Sequence, residues 1–155
     1  MSLKDNFFIR NSKKNDCGII LSFINKIAEY EKLASDVIAT EESIATYLFS
    51  DKPMAECLLA FENEKPVGFA LFFHNYSSFV SKPGIYLEDL FVDVDYRGKG
   101  YGKALLTQVI ETAKIRNCGR VEWSVLDWNK PAIDFYKNMG AKAMDEWTVF
   151  RLSLA

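Results

Sequence analysis

The stretch from Tyr86 to Leu106, YLEDLFVDVDYRGKGYGKALL, constrains the chain more than any other part of it. An alternating apolar strand carrying Leu87, Leu90, Phe91 and Val92 leads to Arg97, then to Gly98, Gly100 and Gly102, after which a helical pattern begins. Glycines lack the Cβ that would keep a ligand away from the main-chain N–H groups. The first turn of the helix adds unpaired N–H groups and a partial positive charge, a combination that suits a pyrophosphate. Arg97, Lys99 and Lys103 supply formal charge at the same place. A purely structural connection is the competing reading of any glycine-rich turn. The order Arg-x-x-Gly-x-Gly, with no Lys-Ser/Thr after the last glycine, excludes a P-loop. Lys103 stands where a dinucleotide fingerprint needs its third glycine, and the motif lies mid-chain rather than in a first βα unit.

The remaining sequence supplies a core for this stretch. With 155 residues, 49% apolar and 14% aromatic, the chain reads as one domain over residues 1–155. A net charge of −2 leaves no sequence-wide basic surface for nucleic acid but permits a cationic substrate. Cys17, Cys57 and Cys118 stand in unrelated contexts with His74 the single histidine, so neither a disulfide framework nor a metal site is expected. The N-terminal MSLKDNFFIR has no long apolar run, and no segment reaches the ~18 apolar residues of a membrane span. A soluble, cytoplasmic protein is the expectation.

In chain order, a strand is expected over Asn6 to Arg10, then a helix capped by Asn15 or Asp16 and ending near Glu31. Thr40 caps a second helix, Glu41 to Phe49. Met54 to Glu62 and Pro66 to Tyr76 form a hairpin about Asn63-Glu64-Lys65, and Ser77 to Gly84 is a loop with Phe79 exposed. The central strand runs from Ile85 to Val92. A helix with Leu105, Leu106, Val109, Ile110 and Ala113 on one face follows the glycine turn and ends at Asn117-Cys118-Gly119. Arg120 to Leu126 is a strand expected parallel to the central one. A helix opens at Asn129 with Pro131 in its first turn and ends at Gly140, and Ala141 to Met144 and Trp147 to Leu152 read as closing strands. The sum is an α/β protein with a mixed sheet of about seven strands and about four helices on its two faces. Its ligand crevice lies where two parallel neighbours diverge.

Arg97-Gly98-Lys99-Gly100-Tyr101-Gly102 resembles the acetyl-CoA pyrophosphate loop of the GNAT N-acetyltransferase superfamily, and Asn129-Lys130-Pro131-Ala132 through Phe135-Tyr136 and Gly140-Ala141 resembles its late helix. Longer strings are similar to the diamine (spermidine/spermine) N-acetyltransferases: YEKL at Tyr30 to Leu33, YLEDLFV at Tyr86 to Val92, DYRGKGYG at Asp95 to Gly102 and DWNKPAIDFYKNMGA at Asp127 to Ala141. Phe79, in place of that family's frequent tryptophan, and Glu122-Trp123-Ser124 depart from its pattern.

The resemblance implies the GNAT acyl-CoA N-acyltransferase fold, acetyl-CoA as donor, no metal, and a homodimer. It places the donor on Leu90, Phe91, Val92, Arg97 to Lys103, Asn129, Pro131, Ala132 and Tyr136. Direct attack by an amine on a thioester needs a neutral nucleophile and a proton for the leaving thiolate. Tyr136 is the candidate acid: its phenol, near pKa ~10 against ~8.5 for a thiol, makes the transfer modestly uphill. The other reading of Tyr136 is a core tyrosine beside Phe135. Glu88 is the candidate for deprotonating the acceptor ammonium, and backbone N–H groups of Leu90 to Val92 for polarising the thioester carbonyl. Asp89 is either a binding charge or a solvated strand carboxylate. A regular strand would aim Glu88 and Asp89 at opposite faces, so a bulge is expected near Glu88 to Phe91. Acceptor contacts are expected from Tyr30, Glu31, Glu88, Asp89, Glu122, Trp123, Ser124, Glu146 and Trp147. A diamine or polyamine is the leading acceptor. A thialysine- or lysine-type amine and a silent CoA-binding sensor stand as alternatives.

Overall fold

The computed structural model describes residues 6–154; the first half of the N-terminal stretch inspected for a leader, with Ala155, lies outside the described residues. The chain divides into two compact units at Ser124. The first contains β1 (Phe7–Asn11), α1 (Cys17–Tyr30), α2 (Glu41–Leu48), β2 (Glu56–Glu62), β3 (Lys65–Ser77), β4 (Lys82–Val92), α3 (Tyr101–Ile115) and β5 (Val121–Trp123). The second contains α4 (Lys130–Asn138).

The five strands lie in the order β1-β2-β3-β4-β5, with antiparallel neighbours through β4 and a parallel β4–β5 pair, so the sheet is mixed as expected. The β2–β3 connection turns on Asn63 and Glu64, both at positive φ, the geometry that matches the twist of a tight hairpin. Thr40 caps α2 reciprocally: its hydroxyl accepts from the Ser43 N–H at 3.0 Å while its own N–H donates to the Ser43 hydroxyl. Asp16 occupies the cap position of α1, yet its carboxylate makes no cap bond to that helix. It instead accepts from the Arg10 guanidinium at 2.8 and 3.1 Å and from the Lys13 N–H, tying β1 to the start of α1.

Strand alternation sorts the core. Phe8 stacks on Phe61, whereas its neighbour Phe7 stacks on Tyr101 of α3. Ile20 and Phe23 of α1 and Ile44 of α2 share a buried cluster with Leu59, Phe61, Phe69 and Phe91. Leu105, Leu106 and Val109 of α3 are fully buried, and α3 contacts β2, β3 and β4. A Cβ on Gly68 would stand 2.8 Å from the Phe91 carbonyl and 3.2 Å from Leu105, so the close seating of α3 on the sheet depends on that glycine.

Three expectations are corrected. The loop drawn over Ser77 to Gly84 shrinks to residues 78–81, because β3 and β4 remain paired out to Ser77 and Lys82. The strand expected over Arg120 to Leu126 is limited to Val121–Trp123. Ala141 to Met144 and Trp147 to Leu152 form no strand; Trp147, Phe150 and Leu152 are exposed, and the seven expected strands become five among the described residues. Alternating apolar residues specify a pleated face but not a hydrogen-bonding partner, and without one the pattern gives no ladder.

Candidate active site

The glycine turn does what its composition requires. Gly98 and Gly100 have φ of 80° and 86°, a left-handed conformation that side chains disfavour, and Gly100 is the N-cap of α3. The helix therefore begins at Tyr101 with its unpaired N–H groups at the turn. Each of the three cations is disposed differently. Arg97 donates from Nε to the Val92 carbonyl at 2.9 Å, and its guanidinium lies 4.7 Å from the Tyr30 ring centroid and 5.2 Å from that of Phe91. The anion turn is thereby tied to the end of α1. Lys99 pairs with Glu62 at 3.0 Å. Lys103 is exposed on the first turn of α3. Tyr101 is 2% exposed, donates its hydroxyl to Glu62 and stacks on Phe7, so its backbone rather than its phenol is on offer to a ligand.

The bulge expected in the central strand is present. Leu71 pairs with Asp89 and Phe72 with Leu87, which leaves Glu88 as the extra residue of β4. The β4–β5 pairing ends at Leu87 opposite Trp123, while Asp89 to Val92 continue paired to β3 alone. The parallel pairing thus stops at the bulge, five residues before β4 ends. Glu122 of β5 pairs with Arg120 at 3.3 Å, and Ser124, just past the strand, shares a hydrogen bond of 2.7 Å with the Tyr86 hydroxyl.

The bulge gathers carboxylates. Burial first, then the charges of Glu88 and Glu31, push the Asp89 carboxyl up to about 7. Glu31 is raised as well, by its own burial and then by Glu88. Glu88 itself is exposed. Glu31, Glu88 and Asp89 come from two elements far apart in sequence and form one acidic group that an ammonium would relieve. Tyr30, the chain neighbour of Glu31, contacts Phe91 edge-on at 6.4 Å and lies under the Arg97 guanidinium.

In the second unit, Asn129 is buried and its side-chain oxygen accepts from the Ala132 N–H at 3.4 Å, with Pro131 in the first turn of α4. Tyr136 is half-buried with its ring 5.5 Å from that of Phe135. Glu146 and Trp147 are exposed on the segment after α4. Sequence reasoning passed over Glu62. It closes β2 just before a turn, where an acid ordinarily reads as solvated, and its partners lie 37 and 39 residues away.

The model of the acetyltransferase (GNAT) family matches residues 22–141. The chain belongs to the GNAT acetyltransferase family. A thialysine N-epsilon-acetyltransferase of Sus scrofa is 39% identical to this GNAT protein over 154 residues, covering 92% of this chain and 90% of the relative. A spermidine/spermine N(1)-acetyltransferase-like protein 1 of Homo sapiens is 31% identical over 159 residues, covering 96% of this chain but 23% of that longer protein. Among solved structures, an integron cassette protein from the mobile metagenome of V. cholerae superposes with a TM-score of 0.80 at 27% identity, over 97% of this chain and 94% of that one.

The fold is accordingly the GNAT acyl-CoA N-acetyltransferase fold, with a mixed central sheet and, among the described residues, four α-helices. The enzyme is an acetyl-CoA-dependent N-acetyltransferase acting on a small amine. The diamine resemblance proves too narrow, since thialysine-type relatives match this GNAT chain at higher identity. The chain's own residues fit the donor: open N–H groups at the head of α3, positive side chains around the turn, and a strand edge freed from β5. Among the described residues no group of three or more His, Cys, Asp or Glu is placed to hold a metal ion, and no helix is long and apolar enough to cross a membrane.

Proposed function

We propose that the protein transfers the acetyl group of acetyl-CoA to the side-chain amine of a thialysine- or lysine-type amino acid. The observation that carries this reading is the 39% identity, over 90% of its length, to a thialysine N-epsilon-acetyltransferase. The acidic group of Glu31, Glu88 and Asp89 supports it, because a side-chain ammonium is a cation that must be held and then neutralised. A diamine or polyamine is the second reading, favoured by the 31% identity to a spermidine/spermine-type relative.

Acetyl-CoA supplies the thioester. Arg97, Lys103 and the N–H groups following Gly100 hold its diphosphate, Asn129, Pro131 and Ala132 are further donor contacts, and backbone N–H groups of Leu90 to Val92 donate to the carbonyl oxygen. Asp89, with Tyr30 and Glu31, holds the acceptor ammonium, and Glu88 takes its proton directly or through water. Tyr136 returns a proton to the departing sulfur. Glu122, Trp123, Ser124, Glu146 and Trp147 complete the acceptor contacts. We read the domain as continuous across the division after Ser124, since the family match spans it. A homodimer is the working assembly, supported by the full exposure of Phe79 and by exposed Trp147 and Phe150; sedimentation at micromolar concentration tests it.

The test is CoA release with acetyl-CoA against thialysine, lysine, ornithine, putrescine, spermidine and spermine. Thialysine or lysine should have the highest kcat/KM. A polyamine leading the panel would replace the acceptor and keep the chemistry.

A further inference from the structure

Glu62 lies outside every element of the chemistry above, yet its carboxylate reaches both residues that flank Gly100. One oxygen, Oε1, accepts from the Tyr101 hydroxyl and from Lys99 Nζ at 3.0 Å. The arrangement is enclosed: the Glu62 side chain is 14% exposed and Tyr101 2%. Phe7 of β1 stacks on the Tyr101 ring at 4.0 Å, and Lys99 also lies 5.2 Å from the Tyr96 ring, so both partners of Glu62 pack against aromatic rings. Burial, then the Glu62 bond and charge, hold the Tyr101 phenol protonated, with its pKa raised to about 12. The phenol is therefore the donor of that bond and the Glu62 carboxylate accepts it.

Gly100 sits between these two anchored residues in a left-handed conformation and starts α3. A flexible glycine turn loses conformational freedom when it closes on a ligand, and bonds that already fix its shape reduce that loss. Lys99, drawn by sequence as a phosphate contact, spends its charge on the turn. From this we infer that Glu62 is a positioning residue for the cofactor: through Tyr101 and Lys99 it holds the turn in the shape that receives the CoA diphosphate.

The inference rests on the reading of that turn as the diphosphate site, and two donors separate the two claims. S-acetylpantetheine carries the thioester and the arm but no diphosphate. The unsubstituted enzyme should prefer acetyl-CoA strongly over S-acetylpantetheine; equal use of both would overturn the turn reading itself, and Glu62 with it. Given that preference, Glu62→Gln should raise the KM for acetyl-CoA about tenfold, the scale of one lost charge-assisted contact, with kcat at saturation within about twofold. For S-acetylpantetheine its kcat/KM should stay within about twofold of the unsubstituted enzyme. Lys99→Met should give the same donor-selective rise, and the double variant no more than either alone. Equal losses with both donors would mean general damage and overturn the inference. A fall in the KM for acetyl-CoA would show Glu62 competing with the diphosphate for Lys99, and would overturn it as well.

Discussion

Asp89 decides most at the scale of single residues. A carboxyl with a folded pKa near 7 binds more protons folded than unfolded between about pH 4 and 7, so its effect on stability is unfavourable and grows as pH rises through that window. Glu31, also raised, acts in the same direction. Asp89→Asn should therefore raise Tm by about 2–4 °C at pH 8, with the gain vanishing toward pH 4. The same variant should raise the KM of the amine about tenfold, because it removes the charge that meets the ammonium. Thermal scans at the two pH values, with acceptor kinetics, check both. Tyr136→Phe should lower kcat on the order of 100-fold while leaving CoA affinity within about threefold, the signature of a lost proton donor. Both residues were visible in the sequence, Asp89 beside a second acid on a strand and Tyr136 through its surrounding string. The depth of the Asp89 perturbation was not, because it depends on Glu31 arriving from α1 and on the packing around β4.

At the scale of elements, the glycine turn and the bulge were readable because each follows from local chemistry. Three glycines before a helical pattern require a turn, and two adjacent carboxylates destined for one site require an irregularity; β4 supplies it at Glu88. Long-range pairing was less readable. The two closing strands expected after Gly140 have the right alternation and no ladder, whereas the β3–β4 pairing runs farther than its Ser-, Lys- and Pro-containing ends suggested. Glu62 escaped for the same reason, since only the β1–β2–β3 arrangement brings it to a turn nearly forty residues downstream. The joint between β3, β4 and α3 is testable at Gly68. A methyl group there meets a backbone carbonyl, which has no rotamer to escape into, so Gly68→Ala should cost about 1–3 kcal/mol in denaturant unfolding. It should also raise the KM for acetyl-CoA, because β4 and α3 carry the donor turn between them. Unchanged stability would mean that the strands separate more easily than their packing implies.

For the whole molecule, the parts serve one asymmetry: positive groups gather where β4 turns into α3, and negative groups gather at the bulge a few residues earlier. Arg97, lying over Tyr30, joins the two regions. An anionic donor and a cationic acceptor would thus be drawn to successive stretches of one strand and its following turn, and the net charge of −2 does not oppose a cationic acceptor. On the proposed reading, an acetyl group passes from CoA to the side-chain amine of a lysine-type amino acid. The most direct measurement is to incubate the enzyme with acetyl-CoA labelled in its acetyl group and thialysine, and to locate the label in the product by NMR. One acetyl group is expected on the side-chain nitrogen, formed in step with CoA release. Label on the α-nitrogen, or no acetylated product while acetyl-CoA is bound, would contradict it.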